Sequence, residues 1–376
     1  MVSPASTAYA QTPEGREYLL IGAGQMGEAY LRNLIELGIS PAQISVVDVD
    51  LSKAEALQLQ YPEISIGNTL PKEKPKKTFV LSSTPAHLKN LEDLSELTGP
   101  DQSVLVEKPF VTVAQHLEGR AHKVLEAFST GVVAYLIEFS PALQALSTFM
   151  EEHPEKLTVI HGRGNWFKNR IGNSRPSAGD LEDEMTHQLG ALMLLAKTNQ
   201  QLNTAGISAR MQSLRFTDPS AQAALVEGDG SVSLNPNSAT SMTVELTSNR
   251  SEIPIMLSLF SSFTLSEQER VIEVVLSDGS ADPWYGATLR FDDGGVGSDS
   301  LRIRDLRSKE IVYEKVFSKA DKLRKQIEAF LHAAQAGERH PALRSFRDGD
   351  RLVALAAAAI ASHKAEGRII EVDMSL

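Results

Sequence analysis

Three ionisable side chains, Lys108, Asp183 and His187, have the types and spacing that proton transfer requires. Lys108 lies in a Glu-Lys-Pro turn directly after the apolar run 104–106, so its amine should lie at the carboxyl end of a buried strand. Asp183 and His187 are four residues apart, which places them one turn apart on the same face of a helix. A carboxylate beside a histidine orients the ring and raises its basicity, which suits removal of a proton from a hydroxyl.

Other interpretations of this helix remain open. Asp183, Glu184 and His187 could contribute metal ligands, but no second His or Cys cluster has a helpful spacing, and we expect no metal. His187 could also be a structural histidine held by its neighbour. Asp180, Glu182 and Glu184 are expected only to satisfy the positive N-terminal end of the helix dipole.

A glycine loop should place a dinucleotide near the lysine. The pattern Gly-x-Gly-x-x-Gly, at Gly22, Gly24 and Gly27, lies between a strand predicted at 17–21 and a helix predicted at 28–37. The first glycine makes the turn, the second lets the backbone approach a pyrophosphate, and the third allows close helix packing. The helix N-terminus offers N–H groups to the phosphates. A structural turn without a nucleotide is the alternative that this context disfavours.

Asp48 follows the second predicted strand and bears on the choice of nucleotide. A carboxylate at this point accepts hydrogen bonds from the adenosine ribose and repels a 2′-phosphate, which favours NAD over NADP. Lys53 lies close by in sequence and could soften this preference, so NADP remains possible.

The surrounding elements alternate in the first half of the chain and change character in the second. Apolar runs predict strands at 17–21, 44–47, 64–66, 78–81, 104–106 and 132–136, largely separated by helices. This alternation predicts a Rossmann-type, doubly wound parallel sheet. From about residue 155, consecutive strands with few helices predict one large, mostly antiparallel sheet.

Composition narrows the class of protein and its partners. The 376 residues suggest two domains, and the net charge of −11 with a pI of about 5.4 argues against nucleic acid or an anionic membrane as partner. The absence of cysteine excludes disulfides and thiolate catalysis. Residues 1–15 lack the features of a signal peptide and should form a flexible tail, and no apolar run is long enough to span a membrane. We expect a cytoplasmic protein.

In this order, the glycine loop, the Glu-Lys-Pro turn and the helix with Asp183 and His187 resemble the glucose–fructose oxidoreductase/inositol dehydrogenase (Gfo/Idh/MocA) family. The third motif of that family reads Gly-x-x-x-Asp-x-Gly-x-His, and the resemblance runs from about residue 17 to 372. It implies an α/β fold with a Rossmann domain at 16–140 and a second α/β domain with a large, mostly antiparallel open sheet at 141–345. The second domain would bind substrate and form a homo-oligomer, a dimer or tetramer, and 346–376 would close the structure.

The resemblance also implies roles for individual residues. Lys108, Asp183 and His187 would be catalytic, with Lys108 near the nicotinamide and the reacting oxygen. The residues implied to bind NAD or NADP are Gly22, Gly24, Gln25, Met26, Gly27, Asp48, Ser83, Thr84, Pro85, Glu107 and Lys108.

Departures from the family pattern concern the substrate. Ser177-Ala178-Gly179 replaces a common triple glycine, Met185 a glycine, Lys89 a histidine and Glu138 an arginine. Glu138 could pair with Arg170 or Arg175, or it could bind a substrate that carries an amine.

The segment from 165 to 175 should line the substrate pocket. Trp166 could stack on a sugar-like ring, and Lys168, Arg170 and Arg175 could bind hydroxyls or a carboxylate. A basic surface loop is the alternative interpretation.

These observations predict an NAD(P)-dependent oxidoreductase that moves hydride between nicotinamide and a secondary alcohol or ketone carbon of a sugar, cyclitol, amino sugar or related polyol. His187, oriented by Asp183, is the expected proton acceptor, and Lys108 would polarise the oxygen or share the proton role. The alternatives are a reductase of an imine or unsaturated ring and a non-catalytic dinucleotide-binding sensor.

Overall fold

The computed structural model describes most of the chain. The described residues are 16–72, 75–97, 102–168, 180–200, 208–216, 225–226, 232–233, 239–247, 253–263, 268–292, 297–318 and 321–373. The predictions for the tail at 1–15, for Arg170 and Arg175 and for the turn 177–179 therefore lie outside the described residues.

The described elements follow one another in an order that changes near residue 155. The helices are α1 (Gln25–Glu36), α2 (Leu51–Gln60), α3 (Thr84–Leu97), α4 (Val113–Leu117), α5 (Pro141–Glu152), α6 (Thr186–Lys197), α7 (Lys322–Ala336) and α8 (Phe346–Lys364). Shorter helical turns cover Pro41–Gln43, Arg120–Lys123, Leu136–Phe139, Thr198–Gln200 and the π-helical Leu181–Met185. The strands are β1 (Tyr18–Ile21), β2 (Ile44–Val47), β3 (Ser65–Gly67), β4 (Lys77–Val80), β5 (Ser103–Glu107), β6 (Thr130–Ala134), β7 (Thr158–Phe167), β8 (Ser208–Phe216), β9 (Leu225–Val226), β10 (Val232–Ser233), β11 (Ala239–Leu246), β12 (Ile255–Ser262), β13 (Glu269–Ser277), β14 (Tyr285–Phe291), β15 (Asp299–Asp305), β16 (Ile311–Phe317), β17 (Arg344–Ser345) and β18 (Ile370–Asp373).

The first sheet confirms the predicted Rossmann arrangement. Its strand order is β17-β6-β5-β4-β1-β2-β3, and all pairs are parallel except β17 with β6. Its strands are apolar and largely buried, as expected for a sheet covered by helices on both faces. The order reverses between β1 and β4, so the carboxyl ends of these strands form the crevice where such sheets bind ligands.

The second sheet is open and mostly antiparallel, as predicted. Its nine strands follow the order β16-β15-β14-β13-β7-β12-β11-β8-β18, with only β7 and β12 parallel to each other. Buried and less buried residues alternate along β11 and β12, because one face of the sheet packs on the core. β9 and β10 form a separate small ribbon.

The end of the predicted second domain packs on the first sheet instead. Ile327, Phe330 and Ala333 of α7 join the core of the Rossmann domain, where the Phe330 ring lies 5.2 Å from that of Phe79. β17 extends the first sheet, so the boundary predicted at residue 345 is corrected: 322–345 returns to the dinucleotide domain. The sequence pattern does not predict this return, because the apolar pattern of a helix or strand is the same whichever of the two sheets it packs against.

β18 then pairs with β8 at the edge of the second sheet, so the end of the chain ties the two domains together. Among the described residues, no helix combines the length and apolar character needed to cross a membrane.

Candidate active site

The glycine loop, Gly22 to Gly27, connects β1 to α1 in a shape that only glycine permits at two positions. Gly22 has φ of +112°, and a Cβ there would lie 2.7 Å from the Leu81 carbonyl group. A Cβ on Gly27 would lie 2.0 Å from the Gly22 oxygen, which is closer than packed atoms can approach. Gly24 is exposed, and a Cβ there would meet nothing within 4 Å. The loop is therefore closed on the protein side and open on the solvent side.

Asp48 braces this loop from the end of β2. Its carboxylate accepts hydrogen bonds from the Ala23 amide at 2.7 Å and from the Asp50 amide at 2.9 Å. The helix that follows the loop starts at Gln25 with no side-chain cap, so no side chain of α1 fills the place of an anion. Lys53 Nζ lies 3.7 Å from the Asp50 carboxylate, and both side chains are exposed.

A histidine without a predicted role joins the ends of β4 and β5. Nδ1 of His87 lies 2.9 Å from the Pro109 carbonyl oxygen and Nε2 lies 2.9 Å from the Ser82 carbonyl oxygen. Burial lowers the pKa of His87, and a neutral ring can donate to one of these oxygens at a time. His87 shares its helical face with Leu91 and Leu94, and this spacing is the sequence signal for a buried residue. Ser83 precedes α3, and Thr84 and Pro85 are the first two residues of that helix, at the same edge of the sheet.

Glu107 connects the Lys108 turn to the helix of the glycine loop. The buried Tyr30 hydroxyl of α1 lies 3.0 Å from the Glu107 carboxylate and 3.0 Å from Oε1 of Gln326 in α7. Exchanging the amide oxygen and nitrogen of Gln326 lets its nitrogen donate to Tyr30, which then donates to Glu107. Burial and the Glu107 charge raise the pKa of Tyr30 well above its usual value. The Lys108–Pro109 peptide bond is cis.

Five side chains form what we call the acid–base cluster: Lys108, Trp166, Lys168, Glu184 and His187. Trp166 Nε1 donates to Glu184 Oε2 at 2.9 Å, and Lys168 Nζ lies 3.2 Å from Glu184 Oε1. Although burial alone would raise it, the pKa of Glu184 is lowered to about 2 by Lys108, Lys168 and other nearby cations. Glu184 is therefore an ionised, buried carboxylate in the centre of the cluster.

His187 lies at the start of α6, directly after the π-helical turn. Its ring stacks on Trp166 at 5.9 Å between centroids and meets the edge or face of Tyr135 at 6.1 Å with perpendicular planes. Burial, followed by the charge of Lys108, lowers the pKa of His187 well below its usual value. Its Nδ1 is buried and has no hydrogen-bond partner among the described residues. The ring is neutral near pH 7 and can accept a proton.

Lys108 lies close enough to His187 for its charge to lower the histidine pKa, and the charge of Glu184 acts on the same ring. The prediction that Glu184 only satisfies the helix dipole is wrong, because its carboxylate is buried against Trp166 and Lys168. Asp183 lies in the π-helical turn, and its side chain is outside the described part of the structure.

Trp166 has a different role from the one predicted. Its side chain is 3% exposed, its ring stacks on His187, and the Arg270 guanidinium lies 5.6 Å from the ring centroid. The predicted stacking on a sugar-like ring is therefore corrected: in this structure the Trp166 side chain contacts His187 and Glu184. Lys168 is partly exposed just after the end of β7. Among the residues predicted to bind substrate, it is the one in the described part of the chain that is open to solvent.

Glu138 is also corrected. It is completely buried and forms an ion pair with Arg344 of β17, whose Nη2 also donates to the Gly190 carbonyl oxygen of α6 at 2.5 Å. The described partner of Glu138 is therefore Arg344 rather than Arg170 or Arg175, and a fully buried carboxylate does not contact a substrate in this conformation. The pair instead connects α6 to the first sheet, because Arg344 on β17 bonds both Glu138 and the Gly190 carbonyl oxygen.

Comparison with solved structures identifies the fold. A levoglucosan dehydrogenase in complex with NADH and L-sorbose aligns with a TM-score of 0.70 and 13% identity, covering 96% of this chain and 99% of that chain. A UDP-N-acetylglucosamine 3-dehydrogenase from Acidithiobacillus ferrooxidans gives 0.66 and 16%, covering 93% and 98%. A myo-inositol dehydrogenase from Corynebacterium glutamicum gives 0.66 and 14%, covering 95% and 98%. No family model and no curated protein sequence matches the chain. At these identities the likeness establishes the fold alone, and the chain has the fold of these three dehydrogenases.

Proposed function

We propose that the protein is an NAD(P)-dependent dehydrogenase of the Gfo/Idh/MocA family that acts on a secondary alcohol of a sugar, cyclitol, amino sugar or related polyol. The observation that carries this proposal is the position of His187 close enough to Lys108 for the lysine charge to lower the histidine pKa. Both lie beside the carboxyl end of β5, on the sheet whose β1 leads into the glycine loop. The three aligned enzymes are named as dehydrogenases of sugars or a cyclitol, which supports the same class of reaction here.

The residues around the glycine loop fit a dinucleotide. Gly24 leaves space for a pyrophosphate, and the adjacent start of α1, at Gln25 and Met26, would provide amide donors. Asp48 would bind the adenosine ribose and favour NAD, with NADP possible beside Lys53. Ser83, Thr84, Pro85 and Glu107 would line the same edge. A bound nicotinamide would supply the carbon that gains or gives up hydride.

The acid–base cluster would handle the proton and the oxygen. A neutral His187 would take the proton of the substrate hydroxyl while hydride leaves the carbon that carries it. Lys108 would donate a hydrogen bond to the same oxygen and stabilise the negative charge that develops there. Asp183 remains a proposed partner of His187, and Lys168 a proposed contact for substrate hydroxyls or a carboxylate.

Kinetic assays test this assignment. The purified protein is incubated with NAD, NADP and their reduced forms and with a panel of sugars, cyclitols, amino sugars and imines, and nicotinamide absorbance is followed. Lys108→Ala and His187→Ala should each lower kcat by roughly 100-fold or more while nucleotide binding persists. The exposed Lys123 and His332 provide matched alanine controls that should keep normal turnover.

The outcomes separate the candidate functions. Near-normal turnover in both cluster variants would disprove the assigned chemistry. Reduction of imines by NADH or NADPH, without turnover of the alcohols in the panel, would favour the reductase alternative. Nucleotide binding without turnover of any panel member would favour a non-catalytic sensor.

A further inference from the structure

Glu184 has no role in the proton transfer outlined above, yet it makes the polar contacts at the centre of the acid–base cluster. Each carboxylate oxygen has its own partner: Oε2 accepts from Trp166 Nε1 at 2.9 Å, and Oε1 lies 3.2 Å from Lys168 Nζ. The side chain is 6% exposed, so water screens its charge weakly. A buried charge held in this way acts strongly on neighbouring ionisable groups.

Both partners of Glu184 connect it to other parts of the site. The Trp166 ring that donates to Glu184 also stacks on the His187 imidazole, with an angle of 20° between the planes. Lys168 lies just past the end of β7, where its backbone N–H donates to the Ser262 carbonyl oxygen at 2.9 Å. Glu184 thus links the π-helical turn that precedes α6 to the end of β7 through two contacts.

We propose that Glu184 is a positioning residue for His187: it fixes the Trp166 ring against the imidazole and supplies the negative charge that offsets the cations around it. Its consequence for catalysis rests on the proposed function. Its effect on the imidazole itself does not, because proton binding by His187 can be measured without substrate.

The ionisable groups that face His187 come from several elements. The charged ones are Lys108 after β5, Lys168 after β7, Arg270 on β13 and Glu184 on the preceding helical turn, and the uncharged one is Tyr135 after β6. Tyr135 stays neutral because burial raises its pKa. The cations disfavour the imidazolium form, and Glu184 favours it. Removing the carboxylate should therefore lower the pKa of His187 further, whereas removing Lys168 should raise it.

NMR titration of the His187 imidazole in the full-length protein tests the charge effect. The His187 signal is assigned by its loss in His187→Ala. Glu184→Gln should lower the His187 pKa by about one unit, and Lys168→Met should raise it. Glu182→Gln is the matched control, because it removes an equal charge from the same turn at a carboxylate that faces the Val113 amide. This control should leave the His187 pKa within about 0.3 units of the wild-type value.

In the Lys168→Met background the His187 pKa should be higher, so that His187 titrates in a pH range where the protein stays folded. In that background, adding Glu184→Gln should lower the His187 pKa again by about one unit. An unchanged or raised pKa on adding Glu184→Gln would overturn the proposal, even if the variant is less stable.

Kinetics then distinguish positioning from a merely structural role. If His187 must be neutral to accept a proton, activity falls as pH drops through its pKa, and Glu184→Gln should shift that acid limb of kcat toward lower pH. A uniform loss of kcat with an unmoved limb would contradict the role in catalysis. An NMR shift without any dehydrogenase activity would retain the charge effect and reject the proposed function.

Discussion

The glycine loop follows β1 and Lys108 of the acid–base cluster follows β5, at the same edge of the first sheet, but the two sites are built in opposite ways. The loop is defined by backbone: Gly22 and Gly27 have no room for a Cβ, and Asp48 braces the turn through the Ala23 amide. The cluster is defined by side chains that converge from β5, β7 and α6. A backbone-defined site has a local sequence pattern, whereas a side-chain-defined site depends on how distant elements pack.

The difference also concerns how each site is held in place. The loop is held by the strand and helix that it joins and by the ends of the neighbouring strands β2 and β4. The cluster depends on α6, and α6 depends on the buried Glu138–Arg344 pair, whose members are 206 residues apart along the chain. Changes to the cluster's support should therefore act over longer distances than changes to the loop.

The largest expected effect on stability comes from breaking the Glu138–Arg344 ion pair. Glu138→Leu leaves the Arg344 guanidinium buried without its carboxylate, which should lower the free energy of unfolding by about 3–5 kcal/mol. Urea denaturation measures this loss. The double variant Glu138→Leu with Arg344→Met should recover much of it, because an apolar pair of similar volume carries no uncompensated charge. A loss below about 1 kcal/mol in the single variant would show that α6 does not depend on this pair.

Gly27→Ala should damage the loop by steric conflict. Its Cβ would lie 2.0 Å from the Gly22 oxygen, so the loop must shift, at a cost of about 1–3 kcal/mol in the free energy of unfolding. The Kd for the nucleotide, measured by calorimetry, should rise at least tenfold, which corresponds to a loss of roughly 1.4 kcal/mol in binding free energy. Gly24→Ala is the matched control for stability: its Cβ meets no protein atom, so folding should be unaffected while nucleotide binding weakens. Equal stability of the two variants would refute the separate roles of these glycines.

The sequence predicted the loop better than the cluster for a physical reason. The roles of Gly22 and Gly24 follow from adjacent residues, and the structure shows the turn and the open face that they predict. Glu184 carries no such signal, because an acid near a helix start is adequately explained by the dipole. Only the approach of Trp166 on β7 reveals its role. The partner of Glu138 was not predicted for the same reason, since Arg344 lies 206 residues further along the chain.

Asp48→Asn tests the nucleotide preference with little change to the loop. The amide oxygen of asparagine can still accept the Ala23 hydrogen bond, whereas the hydrogen bond from the Asp50 amide and the negative charge beside a 2′-phosphate are lost. The ratio of NADP to NAD affinity should rise by about tenfold, which corresponds to roughly 1.4 kcal/mol. Asp50→Asn is the matched control: asparagine caps α2 as well as aspartate does, and the ratio should change much less. An equal change in both variants would mean that general charge, rather than Asp48 itself, sets the preference.

Two substitutions of Trp166 separate its two contacts. Trp166→Phe keeps an aromatic ring to stack on His187 but removes the Nε1–H that donates to Glu184. The free energy of unfolding should fall by about 1–2 kcal/mol, because a hydrogen bond to a buried carboxylate is lost. Trp166→Leu removes the stacked ring as well, and kcat should then fall further than in Trp166→Phe. Equal kcat in the two variants would show that the Trp166 ring contributes packing alone and that stacking on His187 does not affect turnover.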